Sequence, residues 1–567
     1  MADLPNNAIA VLFDELADLY ELDGASIHRV FAYRGAAKTI REAPRSIAAL
    51  TRDGKVTELP GIGKTLEEKL VALVTTGHIP ALEKLRARFP SGLVDMTRLP
   101  GLGPKKARRL FDELGVDSLE ALRTAAEQQR LRDLKGFGPK FELSVIAALD
   151  AGLGVAAPER VLLSKALPLA EGIRDALRAH PAAARVELAG SARRLTDTVK
   201  DLDIIAAATD APALLRAFCE LELVEAGGEP GENAARARTH TGMSIDFRVV
   251  APDQLGNLLQ HLTGSKMHNV ALRERAVRRG INVSEYGLVK DGTTHRCATE
   301  EEVYALLGLP WIPPELREDR GELQLEEVPR LVELEDLRGD LHMHTTASDG
   351  RGTIEDMALA ARDRGYEYLC ITDHSATHGF GNHVTPDEML RQVERVREAD
   401  AAIDGIRVLV GTETNILPDG SPDYEDGVLE QLDWVVGSVH TAFNMTRETM
   451  TKRMVAAIEH PLVRAIGHPT GRKLGRREGY AVDVDALIEA AARTGTCLEI
   501  NGAPDRRDLD DVMARAAAEA GVPIVLDSDA HGPETLRNVR WAVATARRAW
   551  ITPDQVANTR PWAALAR

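Results

Sequence analysis

The sequence predicts a multidomain chain with a helical N-terminal part, a mixed α/β middle and a parallel α/β barrel at its C-terminus. Three observations predict it. The chain has 567 residues, and single cores stop growing near roughly 250 to 300 residues. A glycine-turn motif repeats near the N-terminus, and beyond residue 340 histidines recur at the ends of short apolar runs.

Cys219, Cys297, Cys370 and Cys497 lie far apart and form no C-x-x-C pair, which excludes a zinc knuckle or disulfide framework and fits a reducing cytoplasm. Asp3, Asp14, Glu15 and Asp18 crowd the N-terminus, and no uncharged apolar run of spanning length occurs, so neither an export signal nor a membrane span is expected. A cytoplasmic, nucleoid-associated location is the expectation. The net charge of -17 is unevenly spread: residues 1 to 300 hold 41 Lys plus Arg against 40 Asp plus Glu, and residues 301 to 567 hold 29 against 47. Only the first part has local cationic runs suited to a phosphate backbone.

The helical part rests on the repeat. Leu59-Pro60-Gly61-Ile62-Gly63 recurs as Leu99-Pro100-Gly101-Leu102-Gly103, and a looser copy reads Leu134-Lys135-Gly136-Phe137-Gly138. Glycines flanking one apolar residue allow a tight turn anchored by that residue, with the amides of the next helix turned toward an anion. A single copy reads as an ordinary helix-helix turn. Two near-identical copies, the second followed by Lys105, Lys106, Arg108 and Arg109, are the helix-hairpin-helix pattern of sequence-independent DNA binding. Gly61, Gly63, Gly101, Gly103 and Lys105 are the expected DNA contacts.

The mixed α/β middle rests on residues 186 to 206: an apolar run, Gly190-Ser191-Ala192-Arg193-Arg194, six residues, then Asp201-Leu202-Asp203. On a strand, Asp201 and Asp203 project together while Leu202 enters the core. A third carboxylate, Asp246, sits in the strand-like alternation Ser244-Ile245-Asp246-Phe247. Three carboxylates on neighbouring strands suit two Mg²⁺ ions, one activating a primer 3' hydroxyl and one holding a triphosphate. Gly190 and Ser191 would let backbone approach the phosphates, with Arg194 offsetting developing charge.

This constellation resembles family X DNA polymerases, and the resemblance continues into Thr263-Gly264-Ser265-Lys266-Met267-His268-Asn269, Arg273 and Glu285-Tyr286-Gly287. It implies that Gly264 and Asn269 contact the incoming nucleotide, that Lys266 adds a cation near it or is simply a surface lysine, and that Arg273 contacts the template strand. His261 stands where animal relatives have a tyrosine that helps exclude ribonucleotides. Upstream, His28-Arg29-Val30-Phe31-Ala32-Tyr33-Arg34 and the stretch from Lys64 to Lys69 resemble the N-terminal domain of DNA polymerase beta, which grips a gap's 5' phosphate. That resemblance implies DNA contacts from His28, Tyr33, Arg34 and Lys69. Lys69 falls where some relatives place a Schiff-base lysine, the alternative being a solvated helix lysine.

The barrel rests on the histidines. Pro310, Pro313 and Pro314 and the acidic stretch that follows read as a linker. Beyond it stand nine of the 16 histidines, among them those of Asp340-Leu341-His342-Met343-His344, Thr372-Asp373-His374, Val439-His440, Gly467-His468 and Asp529-Ala530-His531, together with Asp349 and Glu413. Strand-end residues spaced by helical stretches converge at the C-terminal mouth of a parallel barrel. The set resembles the PHP domain of bacterial polymerases and of histidinol-phosphate phosphatase. By that resemblance His342, His344, Glu413 and Asp529 hold one metal; Glu413, His440 and His468 a second; and Asp349, His374 and His531 a third. Mixed imidazole and carboxylate ligation favours Mn²⁺, Zn²⁺ or Fe over Mg²⁺. His378, His383 and His460 receive no role.

The expected organisation is a helix-hairpin-helix domain over 1–85, fingers with the second hairpin over 86–150, a nucleotidyltransferase palm over 151–250, a thumb over 251–315, a linker over 316–335 and a PHP distorted (β/α)7 barrel over 336–567. The expected activities are template-directed filling of short DNA gaps in repair and metal-dependent 3'–5' trimming of DNA ends, with cleavage at abasic sites as a further expectation. Gapped or primed duplex DNA and dNTPs are the expected partners of a monomer. Rival readings are template-independent nucleotidyl transfer fused to a small-molecule phosphatase, and a helix-hairpin-helix scaffold with dead sites.

Overall fold

The structure is a computed structural model that describes residues 4–97, 99, 101–134, 136–150, 160–225, 230–379 and 381–566. They form two compact units, one drawn from within 1–160, 169–188 and 200–252, the other from 161–168, 189–199 and 253–567. No helix among the described residues is long and apolar enough to cross a membrane.

In the first unit, helices Asn6–Leu22 and Ile27–Glu42 pack through Ile9, Phe13 and Leu16 against Val30, Tyr33 and Ala37, all buried. The glycine turns share one backbone conformation at their first glycine and one closing hydrogen bond. Gly61, Gly101 and Gly136 have φ of 80°, 78° and 93°, a left-handed conformation that disfavours a side chain. Ile62, Leu102 and Phe137 then enter the core, their amides donating back to the carbonyls of Leu59, Leu99 and Leu134 at 3.2, 3.0 and 3.0 Å. Helices Lys64–Thr76, Pro104–Leu114 and Pro139–Asp150 follow. Pro100 and Lys135 of the motif lie outside the described residues.

A four-stranded sheet completes this unit, with β1 (Ala183–Leu188), β2 (Asp201–Ala208), β3 (Ala234–Arg238) and β4 (Ser244–Val250) in the order β1-β2-β4-β3. The β2–β4 pair is parallel and the two outer pairs are antiparallel.

The second unit holds helices Leu255–Thr263 and Lys266–Arg278 and a meander of β5 (Ile281–Ser284), β6 (Gly287–Lys290) and β7 (Thr293–His295). The stretch expected as a linker, 316–335, is packed instead. Leu316, Leu323 and Leu331 join the core of this helical and meander region, and Val332 joins that of the barrel. Three acidic residues in or beside it are matched by basic partners: Glu315 pairs with Arg547, Glu318 with Arg194 and Arg548, and Glu322 with His268.

The barrel is a nearly closed ring of seven parallel strands in sequence order: β8 (Gly339–Asp340), β9 (Tyr368–Ile371), β10 (Arg407–Asn415), β11 (Trp434–Ser438), β12 (Ala465–Ile466), β13 (Cys497–Asn501) and β14 (Ile524–Asp527). Nearly every strand residue is buried, because helices cover the outer face. Two of these helices begin with reciprocal capping boxes, Thr353 with Asp356 and Thr385 with Glu388. The first and last strands are tied by a Met343–Ala530 bridge, by the Leu341 amide donating to Asp527 at 2.7 Å and by the Ser528 amide donating to Asp340 at 3.2 Å.

Candidate functional site

All nine histidines and carboxylates expected as barrel ligands converge at the C-terminal mouth of the strands, contributed by β8 (His342, His344, Asp349), β9 (His374), β10 (Glu413), β11 (His440), β12 (His468) and β14 (Asp529, His531). His342 and His344 sit just past β8 rather than on it, on either side of the bridging Met343. They still share a side, their rings 5.3 Å apart.

Glu413 is the hub. One of its oxygens lies 3.3 Å from His342 Nε2, 3.6 Å from His344 Nε2 and 2.9 Å from His374 Nδ1. The other lies 3.1 Å from His440 Nε2 and 2.9 Å from His468 Nε2. Asp529 stands 3.3 Å from His344 Nε2, and Asp349 stands 3.6 Å from His374 Nε2 and 3.3 Å from His531 Nε2. Donor atoms that could share one ion fall into three groups: His342, His344 and Asp529; His374, Glu413 and His440; and His344, Asp349, His374 and His531. Among the described residues His344 and His374 therefore each face two groups, where the resemblance implied one apiece, and His468 falls in none.

The donor chemistry fits divalent metals. Burial pushes the Glu413 and Asp529 carboxyls up, but the surrounding histidines more than offset it and hold both well below the usual carboxylate range. Burial pushes His344 and His468 down to about 4, leaving neutral imidazoles able to donate a lone pair. Both ring nitrogens of His344 and Nε2 of His342 are buried without a hydrogen-bond partner, as expected of atoms aimed at an ion.

Sequence reasoning missed the supporting shell. Glu499, on β13, lies 2.6 Å from His342 Nδ1 and accepts from the His468 backbone amide at 2.5 Å and from Asn501 Nδ2 at 3.1 Å. Asp373 accepts from the Thr345 amide at 2.7 Å, Thr345 Oγ1 at 2.6 Å, Ser348 Oγ at 2.6 Å and Gln392 Nε2 at 2.6 Å, bracing the turn that carries His374. Lys473 and Arg506 line the cavity of about 310 Å³ above the ligands, beside Asp505 and Asp529, which stand 3.9 Å from Lys473 and 3.7 Å from Arg506. The basic pairs Arg472-Lys473 and Arg506-Arg507 were the signal of these cations in the sequence.

In the four-stranded sheet, Asp203 and Asp246 are direct partners across the parallel β2–β4 pair, and Asp201 shares the Asp203 face by the two-residue period. Asp201, Asp203 and Asp246 are half-buried while Leu202, Ile204 and Phe247 are buried. Arg248 Nη2 lies 3.5 Å from Asp246 and Arg236 Nε 3.9 Å. The geometry places half-buried carboxylates on the two central, adjacent strands, which suits hard oxygen-seeking cations.

Among the expected nucleotide contacts, Gly190 and Ser191 begin the short helix Gly190–Arg193, and Arg194 follows it with Nε 3.0 Å from Glu318. Gly264 cannot carry a Cβ, which would fall 2.6 Å from the His268 ring and 2.9 Å from Asn269 Oδ1. Asn269 Nδ2 donates to the carbonyls of His261 at 2.8 Å and Gly264 at 3.2 Å. Lys266 is exposed at the start of its helix. Arg273 is exposed, with Nη2 3.4 Å from His261 Nδ1.

Among the expected DNA contacts, His28, Gly61, Gly63, Gly101, Gly103 and Lys105 are exposed. Tyr33 is instead a core residue, 5% exposed, with its ring 5.1 Å from that of Tyr20. Arg34 is exposed but is paired with Asp18 at 3.3 Å and Glu21 at 2.6 Å. Lys69 Nζ lies 5.7 Å over the Tyr33 ring.

Family models match along the chain: a helix-hairpin-helix domain over residues 4–79, a SAM-like helix-hairpin-helix tandem over 93–151, a DNA polymerase beta thumb over 258–318 and a PHP domain over 340–503. The chain is 39% identical over 557 residues to the DNA polymerase/3'-5' exonuclease PolX of Bacillus subtilis, spanning 97% of this chain and 96% of that one. Its barrel part is 30% identical over 226 residues to a probable phosphatase of Syntrophotalea carbinolica, 39% of this chain and 90% of that one. With helical hairpins, a polymerase thumb, paired carboxylate strands and a histidine-ringed barrel on one chain, matched end to end by a relative of the same plan, the protein belongs to the family X DNA polymerases that carry a C-terminal PHP domain.

Proposed function

We propose that this protein is a template-directed DNA polymerase that fills short gaps during DNA repair, and that its barrel is a metal-dependent 3'–5' exonuclease acting on DNA ends, with abasic-site cleavage within the same phosphoesterase chemistry. The observation that carries the reading is the presence, on one chain, of three half-buried carboxylates on the paired strands β2 and β4, Asp201, Asp203 and Asp246, and of the nine histidines and carboxylates gathered around Glu413. The Bacillus subtilis relative is named for both activities.

In the polymerase site, Asp201, Asp203 and Asp246 would hold two Mg²⁺ ions. Bound there, the ions supply activation of the primer hydroxyl and charge neutralisation on the triphosphate. The chain's own residues do the positioning. By the family resemblance, Gly190 and Ser191 would present backbone to the phosphates, Arg194 would offset their charge, and Gly264, Lys266 and Asn269 would contact the nucleotide. Exposed Gly61, Gly63, Gly101, Gly103 and Lys105 meet the phosphate backbone of gapped or primed duplex.

In the barrel, the nine ligands would hold up to three ions, with Mn²⁺ or Zn²⁺ preferred by the imidazole-rich set. Ions so placed lower the pKa of a bound water and stabilise a leaving oxygen. Lys473 and Arg506 hold the scissile phosphate over the ligands. We further propose that the protein acts as a monomer on dNTPs and gapped DNA.

The test is primer extension and 3' digestion on one gapped duplex, with Mg²⁺ and Mn²⁺ compared. Template-matched products and stepwise loss of 3' nucleotides are expected. Product sequence independent of the template would overturn the polymerase reading in favour of untemplated transfer.

A further inference from the structure

The loop 189–199, which carries Gly190, Ser191 and Arg194, is held by arginines of the barrel. Arg507 Nε lies 3.2 Å from one oxygen of Asp197, and Arg472 Nη2 lies 2.9 Å from the other. Arg507 Nη2 also donates to the Leu195 carbonyl at 3.0 Å, and Arg548 Nη1 donates to the Arg194 carbonyl at 2.9 Å. The same Arg548 nitrogen lies 2.9 Å from Glu318, whose oxygen also receives Arg194 Nε at 3.0 Å. Three barrel arginines thus converge on one carboxylate and two backbone carbonyls of a single loop.

This loop needs an external brace. Leu195 has φ of 56°, in the left-handed region that costs a branched side chain conformational energy. Such a conformation persists where surrounding contacts over-determine it, and the Arg507 bond to the Leu195 carbonyl is one of them. The arginines are themselves fixed: Arg507 is 1% exposed and donates to Thr545 Oγ1 at 2.9 Å, while Arg472 Nε donates to the Arg506 carbonyl at 3.1 Å.

We propose that Asp197 is a positioning residue for nucleotide addition: clamped by Arg472 and Arg507, it fixes the 189–199 loop in the conformation that receives the triphosphate. The proposal rests on the reading of Gly190, Ser191 and Arg194 as nucleotide contacts, and it assigns the barrel a second task beside hydrolysis. A loop pre-set before binding spares the ordering cost when the nucleotide arrives, so loss of the clamp weakens nucleotide affinity.

The test uses the full chain and single-nucleotide addition on a gapped duplex, with KM for dNTP and kcat measured separately. In Asp197→Ala, dNTP KM rises roughly tenfold, the loss expected for a charge-assisted contact, while kcat changes much less. Arg472→Ala raises KM similarly, and adding it to Asp197→Ala produces little further change, because the two act through one contact. Mn²⁺-dependent 3' digestion stays near wild type in Asp197→Ala, and the variant stays folded at assay temperature although losing the partner of buried Arg507 lowers its unfolding midpoint. Arg194→Ala separates the proposal from the reading beneath it. If Arg194→Ala raises dNTP KM and Asp197→Ala does not, the clamp is wrong and the nucleotide site stands. If neither variant changes KM, the nucleotide reading falls, and the clamp with it. Parallel loss of polymerisation, digestion and stability in Asp197→Ala would also overturn the proposal, by making Asp197 a purely structural residue.

Discussion

Glu499 Oε1 lies 2.6 Å from His342 Nδ1, so the imidazole that turns its other nitrogen toward Glu413 is oriented by a carboxylate from the neighbouring part of the barrel. A carboxylate behind a ligating histidine fixes its tautomer and raises its basicity, and removing such a partner typically costs about 10- to 100-fold in metal affinity or activity. Glu499→Gln should therefore shift the Mn²⁺ titration of 3' digestion to higher metal by a factor in that range. Nucleotide addition with Mg²⁺ should be unaffected. An unchanged titration would remove Glu499 from the site.

Glu300 offers a pH test away from any metal. Burial pushes its carboxyl up, but Arg317 and Arg193 more than offset it and hold it down to about 2, against an ordinary 4.5. Because the folded pKa is depressed, the stabilisation is fully present above pH 4.5 and is lost as pH falls toward 2. The shift corresponds to at most about 3 kcal/mol. Glu300→Gln should lower stability at neutral pH by an amount of that order, and the gap from wild type should close between pH 4.5 and 2. Urea unfolding followed by tryptophan fluorescence reads it, with Trp311 Nε1 only 3.4 Å from Glu300. A gap that stays constant over that range would mean that Glu300 acts through packing rather than charge.

Much of this was legible in the residues, for physical reasons that also explain what was not. Glycine needs no partner to declare a left-handed turn, so Gly61 and Gly101 marked their hairpins directly. Histidines at strand ends declared the barrel mouth, because successive parallel strands must bring their C-terminal ends together. Pairings were not legible. The acidic run after Pro314 has the composition of a solvated linker, yet Glu315 and Glu318 are matched by Arg547, Arg548 and Arg194, residues far away in the chain. Arg34 looked like a phosphate contact, but Asp18 and Glu21 lie one helix away and take its charge. Glu499 was invisible because a lone carboxylate in Cys497-Leu498-Glu499-Ile500-Asn501 reads as a strand residue until its neighbours are placed.

A 5' phosphate on the downstream strand of a short gap should increase gap filling. Lys69, 5.7 Å over the Tyr33 ring, and exposed His28 are the groups we propose to meet it. Because Arg34 is already paired with acids, Lys69→Ala should reduce the phosphate effect more than Arg34→Ala does. The effect should also weaken steeply with added salt, since phosphate contacts release counterions. Equal rates on phosphorylated and unphosphorylated gaps, compared in steady-state assays, would contradict it.

The two chemistries should separate by substitution. Asp203 and Asp246 are register partners across β2 and β4, so Asp203→Ala would take one carboxylate from the set proposed to hold the metal pair and leave the developing phosphate charge uncompensated. Nucleotide addition should fall below detection while Mn²⁺-dependent digestion of a 3' end continues. Conversely, Glu413 lies within 3.6 Å of five histidines, so Glu413→Ala removes the hub of the barrel and should abolish digestion. His344→Ala should do the same by removing a ligand that faces two donor groups. Glu413→Ala and His344→Ala should retain nucleotide addition, because the arginines that hold the 189–199 loop do not include either residue. Separate assays of extension and digestion on each purified, folded variant decide it, and loss of digestion in folded Asp203→Ala would mean that the barrel depends on the polymerase carboxylates.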